Sequence, residues 1–156
     1  MITKSAVAFL LILASSAFAE IVQWQACPTS PNAPLNCTVH EVRVDPCKEA
    51  DQGKPCKIKR GIDASISFDF TPNFDATTAE SRAYWVSPLM DLPFVGMETD
   101  ACKATQCPIV KAQKKSYTMH LPIAKSFPIR AYDVKWKLWN DKEQDCCFIF
   151  QIKLTK

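Results

Sequence analysis

The sequence predicts an all-β fold, a two-sheet sandwich of about seven strands, and three observations carry that prediction. Apolar and polar residues alternate with period two in several stretches, breaker residues separate those stretches, and no segment shows a helical stripe. The first stretch in chain order is the weakest, Val42 and Val44 after His40. The clearest is Ile62, Ala64, Ile66, Phe68 and Phe70, interleaved with Asp63, Ser65, Ser67 and Asp69, a strand dry on one face and wet on the other. Tyr117, Met119 and Leu121 repeat the pattern. So do Tyr132, Val134, Trp136 and Leu138 against Asp133, Lys135 and Lys137, and finally Phe148, Phe150, Ile152 and Leu154. Between these runs stand Asp45-Pro46, Gly53-Lys54-Pro55, Thr71-Pro72-Asn73, Ser87-Pro88, Leu92-Pro93 and Leu121-Pro122. Such dipeptides punctuate strands because proline lacks the ladder donor and glycine relaxes the backbone.

The chain has 156 residues, with 8 cysteines, 11 prolines and 3 glycines, material for one domain. Residues 1–19 combine Lys4, an apolar run from Ala6 to Ala14 and the small-residue exit Ala17-Phe18-Ala19 ahead of Glu20, the pattern of a secretory signal peptide. Residues 20–156 are then the mature domain, and no later apolar run reaches the roughly 18 residues of a membrane span. The formal net charge of +3 falls to about +2 without Lys4. That is too little to indicate a nucleic acid partner.

All eight cysteines lie beyond the leader, in a chain addressed to an oxidising compartment, so the even count reads as four disulfides. Short spacing favours Cys47 with Cys56 and Cys102 with Cys107. Cys27 and Cys37 near the start, and Cys146 and Cys147 near the end, close long loops whichever way they pair. Adjacent strand residues face opposite ways, so Cys146 and Cys147 serve different partners. The spacings do not suit metal ligation and neither His40 nor His120 forms a ligand pair with them, so no metal is expected.

Catalysis is not expected either: the chain contains no G-x-S-x-G elbow, P-loop or zincin motif, and paired cysteines leave no thiol nucleophile. His40 and His120 alternate onto wet strand faces. The turn bearing Lys111, Lys114 and Lys115 reads as solvated rather than as a headgroup site. Asn36-Cys37-Thr38 meets the glycosylation sequon, with Asn36 as acceptor unless Cys37 oxidises first. A surplus of bulk remains. Phe68, Phe70, Trp136, Phe148 and Phe150 crowd the inward faces, and residues 88–97 add Leu89, Met90, Leu92, Phe94 and Val95 without alternation. An ordinary aromatic core with a packed loop accounts for this composition. The sharper account is that bulky residues hold the sheets apart around a cavity, with the Leu92 to Met97 loop as a greasy rim and ligand gate.

The ordered strings Val42-Arg43-Val44-Asp45-Pro46-Cys47, Pro55-Cys56-Lys57-Ile58-Lys59-Arg60-Gly61 and Ile66-Ser67-Phe68-Asp69-Phe70-Thr71 lead into Asp100-Ala101-Cys102 and Cys107-Pro108-Ile109. Leu121-Pro122-Ile123, Phe127-Pro128, Val134-Lys135-Trp136 and Cys147-Phe148 follow in order. Together, over about residues 21–154, they resemble the lipid-recognition (ML) domain family, in particular its small secreted Niemann-Pick type C-two sterol-binding group. The resemblance implies an immunoglobulin-like two-sheet β-sandwich that holds one lipid between its sheets, with no catalytic residue, no metal and no cofactor besides the bound sterol or other lipid.

It also implies the pairs Cys27–Cys147, Cys47–Cys56 and Cys102–Cys107. Cys37 and Cys146 have no counterpart in the six-cysteine family pattern and are expected to form a fourth bridge. Position by position, the resemblance puts Phe94, Ile123, Phe127 and Trp136 in the lipid pocket; Phe68, Phe70, Tyr117, Phe148 and Phe150 complete the expected lining. Phe127 stands where relatives often carry tyrosine, which leaves the lipid's identity open, and Asp91 sets apart the loop before Phe94. The expected partners are a sterol or fatty lipid and, for delivery, a membrane surface or membrane sterol transporter. Charged wet strand faces favour a monomer. The expected address is extracellular or the lysosomal lumen. Lipid carriage and transfer is the leading function; the alternative is an accessory lipid-recognition protein of an immune or chemosensory receptor.

Overall fold

The computed structural model describes residues 20–29 and 36–156; the expected signal peptide, residues 1–19, lies outside the described residues. Ten strands form among them. One sheet is built from β1 (Glu20–Ile21), β3 (Cys37–Asp45), β5 (Asp63–Pro72) and β8 (Lys115–Pro122), side by side in that order. The other runs β2 (Trp24–Ala26), β10 (Asp145–Thr155), β9 (Ala131–Trp139), β6 (Glu80–Trp85) and β7 (Leu92–Pro93). On the edge of β10 that β2 occupies, β4 (Cys56–Lys59) pairs in parallel with Ile152 to Thr155. The strands of four residues or more are β3, β4, β5, β6, β8, β9 and β10, which is the seven-strand sandwich the alternation predicts; β1, β2 and β7 are short edge pairings.

Alternation places the core directly. In β5, Ala64, Ile66, Phe68 and Phe70 are buried, while the outer face between them is polar: Ser67 Oγ and Thr118 Oγ1 lie 3.0 Å apart, and Asp69 accepts from Arg43 Nη2 at 2.8 Å. Ile62, expected at the head of this strand, is instead 38% exposed. Gly61, with φ of +83°, turns the chain just before it and leaves Ile62 outside the ladder. Val42 and Val44 are fully enclosed, so the weakest of the predicted strands is a central one, β3, with a bulge between Val39 and Glu41.

Antiparallel register sorts the inward residues into rows. In the six-stranded sheet, Trp85, Val134 and Phe150 form one row, Ala83, Trp136 and Phe148 the next, and Ser81, Leu138 and Cys146 the third. Facing them, the four-stranded sheet presents Ala64 and Leu121, then Val44, Ile66 and Met119, then Val42, Phe68 and Tyr117.

Four disulfides hold this frame. Cys47–Cys56 and Cys102–Cys107 close small loops. Cys27–Cys147 ties the chain after β2 to β10. Cys37–Cys146 joins β3 to β10 and so crosses from one sheet to the other. Cys146 is buried and Cys147 half-buried, as expected for neighbours on opposite strand faces.

Candidate functional site

The space between the sheets is filled unequally. At its centre Phe68 stacks on Tyr117, with ring centroids 4.7 Å apart, and meets Phe148 edge-on at 5.0 Å and Trp136 at 6.5 Å. Phe70 extends the cluster, 5.6 Å from Phe68, toward the end closed by Cys37–Cys146. Rings in contact at these separations leave no gap. Phe68, Phe70, Tyr117 and Phe148, expected along the cavity, therefore pack behind it, and the bulk expected to hold the sheets apart fills the middle of the sandwich.

The gap lies at the opposite end. A cavity of about 40 Å³ is lined from the four-stranded side by Val44, Ala64, Ile66 and Leu121, with Ile123 just past β8. From the six-stranded side come Ala83, Trp85, Val134, Trp136, Phe150 and Ile152, and Ile58 and Phe94 close the flanks. Phe94, Ile123, Trp136 and Phe150, four of the residues expected in the lipid pocket, line this one cavity. Alanine at 64 and 83 withholds the side-chain volume that would fill it. Ser65 also borders the cavity, but alternation turns its hydroxyl to the outer face. The wall is hydrocarbon and aromatic ring, an arrangement that can hold apolar matter.

Phe127 stands over the mouth rather than in the wall. Its ring meets Phe94 at 5.4 Å and Trp85 at 5.8 Å, and Trp85 also touches Phe94 at 5.5 Å and Tyr132 at 4.5 Å. The segment carrying Phe127 is tethered. Arg60 Nη1 donates to the carbonyls of Lys125 and Phe127, both at 2.7 Å, the Gly61 amide donates to Ile123 O at 2.6 Å, and Tyr132 Oη donates to Pro128 O at 2.9 Å. The segment carrying Phe94 is tied as well: its amide donates to Ala83 O at 2.8 Å, and Lys135 pairs with Asp91. Outside these tethers the rim is greasy, with Leu89 96% and Val95 84% exposed and Met90 and Leu92 beside them. The loop expected as the rim divides: Leu92 and Val95 face out, Phe94 turns in, and Met97 is half-buried.

Residues set aside by the sequence stay apart from this site. His40 and His120 are exposed, His40 within 2.8 Å of Thr71 Oγ1, and Lys114 pairs with Asp69 at 3.3 Å. Asn36 is half-buried at the start of β3, its carbonyl accepting from the Asn73 amide at 2.7 Å, and the middle residue of its sequon is bridged to Cys146. Burial pushes the Tyr117 hydroxyl up to about 12 against the opposing effect of its Ser81 hydrogen bond, so it stays neutral. Trp85 is the aromatic ring of the site that the sequence reading missed, together with aliphatic lining such as Val44, Ile66, Leu121 and Val134. The strand of Trp85 carries Ser81 and Ala83 inward, and small residues give an alternation without a hydrophobic signal.

The sequence profile of the ML domain matches residues 21–154. The chain is 43% identical over 125 residues to the MD-2-related lipid-recognition protein of Manduca sexta, covering 77% of this chain and 78% of that protein. It is 33% identical over 149 residues to NPC intracellular cholesterol transporter 2 of Sus scrofa, covering 94% and 93%. The fold superposes on the crystal structure of a Niemann-Pick type C2 protein from Japanese carpenter ant with a TM-score of 0.73 at 21% identity, over 85% of this chain and 99% of that one. A two-sheet sandwich with its cavity between the layers, and a family profile that runs from the first described strand to the last, give one conclusion: the chain belongs to the ML domain family.

Proposed function

We propose that the protein is a carrier that holds one sterol or similar lipid between its sheets and transfers it to a membrane or receptor, acting as a monomer in an extracellular or lysosomal compartment. The observation that supports this most is the apolar cavity beneath Trp85, Phe94 and Phe127. Burying about 400 Å² of guest hydrocarbon contributes roughly 10 kcal/mol at 25 cal/mol/Å². Lost motion takes several kcal/mol back, which leaves a dissociation constant between micromolar and nanomolar.

Pockets that enclose such ligands span about 300–1,000 Å³, and this one holds about 40 Å³. Loading therefore requires the sheets to part. They part at the mouth, where ring contacts close the gap, and not at the far end, where Cys37–Cys146 binds sheet to sheet. The direct test is transfer of a fluorescent sterol between donor and acceptor vesicles. The carrier reading expects substoichiometric protein to accelerate transfer severalfold; saturable binding with no transfer favours the accessory-recognition reading, in which the exposed rim at Leu89 and Val95 docks a receptor. Absence of any sterol or fatty acid binding would remove both.

A further inference from the structure

The pocket contains a polar feature for which hydrocarbon capture has no use. Trp136 is 1% exposed and forms part of the cavity wall, and its indole Nε1 is enclosed without an acceptor. One row deeper, Ser81 Oγ and Tyr117 Oη lie 2.6 Å apart, a hydrogen bond from one sheet to the other between fully buried side chains. Two hydroxyls bring two hydrogens, and this contact uses one. The other has no acceptor among the described residues. The Tyr117 and Trp136 rings meet edge-on with centroids 5.8 Å apart, which puts the Ser81–Tyr117 pair directly behind Trp136, one row beyond the residues that line the cavity. Unpaired donors in a dry interior weaken the fold, and a floor that only had to pack would be served better by leucine or phenylalanine.

We propose that, once loading parts the sheets, this deep end of the cavity recognises a hydrogen-bond acceptor oxygen on the buried end of the guest, with Trp136 Nε1–H in the cavity wall as the first donor and the Ser81–Tyr117 pair behind it as the second. The inference rests on reading the cavity as a lipid pocket, and it narrows the guest. The molecule has a hydrocarbon body that fits the wall, one polar end left at the mouth, and a hydroxyl, ketone or ester oxygen at the end that enters first. A guest with a plain hydrocarbon tail fills the same space and leaves both donors unpaired.

Cholesterol and 25-hydroxycholesterol are suitable probes, because they share one body and differ by a hydroxyl at the tail. The wild-type protein should bind the tail-hydroxylated sterol at least tenfold more tightly. Trp136→Phe keeps a ring and loses the N–H, and Tyr117→Phe removes one hydroxyl; each should cut the preference to threefold or less. The indole proton resonance of Trp136, assigned in the wild type by its through-space contacts to the neighbouring Tyr117 ring, should move downfield on loading with the hydroxylated sterol and not with cholesterol. That shift, read in the wild type, together with Tyr117→Phe, decides the matter even where Trp136→Phe does not fold. Equal affinity for the two sterols overturns the inference while leaving the lipid pocket intact, and it is the outcome expected if water already serves these donors. A preference that survives in both variants also overturns it. Binding of neither sterol overturns it together with the sterol-carrier reading.

Discussion

Phe94 and Phe127 meet edge to face, with centroids 5.4 Å apart and planes at 67°. They reach this contact from separate segments, Phe94 just after β7 and Phe127 between β8 and β9. An aromatic pair of this kind contributes about 0.5–1.5 kcal/mol beyond the area it buries, weak enough to open and strong enough to slow escape. Phe127→Ala should therefore raise the dissociation rate of a fluorescent sterol roughly tenfold and change association less, as read by stopped flow. An unchanged dissociation rate would take Phe127 out of the gate.

Ala83 borders the cavity beside Trp136. Ala83→Leu would put three more carbons into a space of about 40 Å³. Overpacking of this kind costs about 1–3 kcal/mol, which a disulfide-stapled sandwich tolerates, whereas the guest loses its place. Sterol affinity should fall at least tenfold, with a cooperative melting transition retained. A titration that gives wild-type affinity would place the guest elsewhere.

These two residues also mark how far the sequence could be read. Strands with large inward residues declare themselves: Phe68 and Phe70 in β5, Trp136 in β9 and Phe148 in β10 repeat every second position and are all buried. β6 hides because Ser81 and Ala83 are small, and they have room to be small because Tyr117 brings volume from the facing sheet and Trp136 from the neighbouring strand β9. The same complementarity explains the pocket. Alternation identifies which side chains point inward, but not how facing rows share the interior, so it puts Phe68, Tyr117 and Phe148 on the cavity wall when their mutual stacking makes them the solid block behind it. Phe94, Ile123 and Phe127 are expected at the pocket through the family resemblance alone, because the segments that carry them follow no strand period.

The Cys37–Cys146 bridge spans 109 residues of sequence and is the covalent link between the two layers farthest from the mouth. With Cys27–Cys147 in place, the further loop it closes runs only from Cys27 to Cys37 and across Cys146 to Cys147, and chain-entropy reasoning gives about 3 kcal/mol for a loop of that size. Replacing both cysteines with serine should lower the melting temperature by on the order of 10–15 °C, and sterol loading should recover part of that loss, since a bound guest stabilises only the folded state. Calorimetry of the empty and loaded variant makes the measurement. A variant that melts like the wild type would show that the layers hold at that end without the bridge.

Arg43 donates to the Asp69 carboxylate at 2.8 Å, the Ser116 hydroxyl donates at 2.7 Å, and the Lys114 ammonium lies 3.3 Å away. The Arg43 contact foremost holds the Asp69 carboxyl well below its ordinary value of 3.8, against the opposing effect of burial. A carboxyl depressed in the folded state takes up its proton first in the unfolded chain, so its contribution is complete above the ordinary value and is lost as pH falls below it. Asp69→Asn should accordingly destabilise the protein by about 1–2 kcal/mol at pH 7 and by the same amount at pH 5, and the gap to wild type should narrow at pH 3. Urea unfolding at the three pH values reads this directly. A gap that shrinks already between pH 7 and pH 5 would show that the cluster on β3, β5 and β8 weakens under mild acid. A constant gap over that range means that the Arg43–Asp69–Lys114 cluster on the outer face of the four-stranded sheet keeps its full contribution under mild acid.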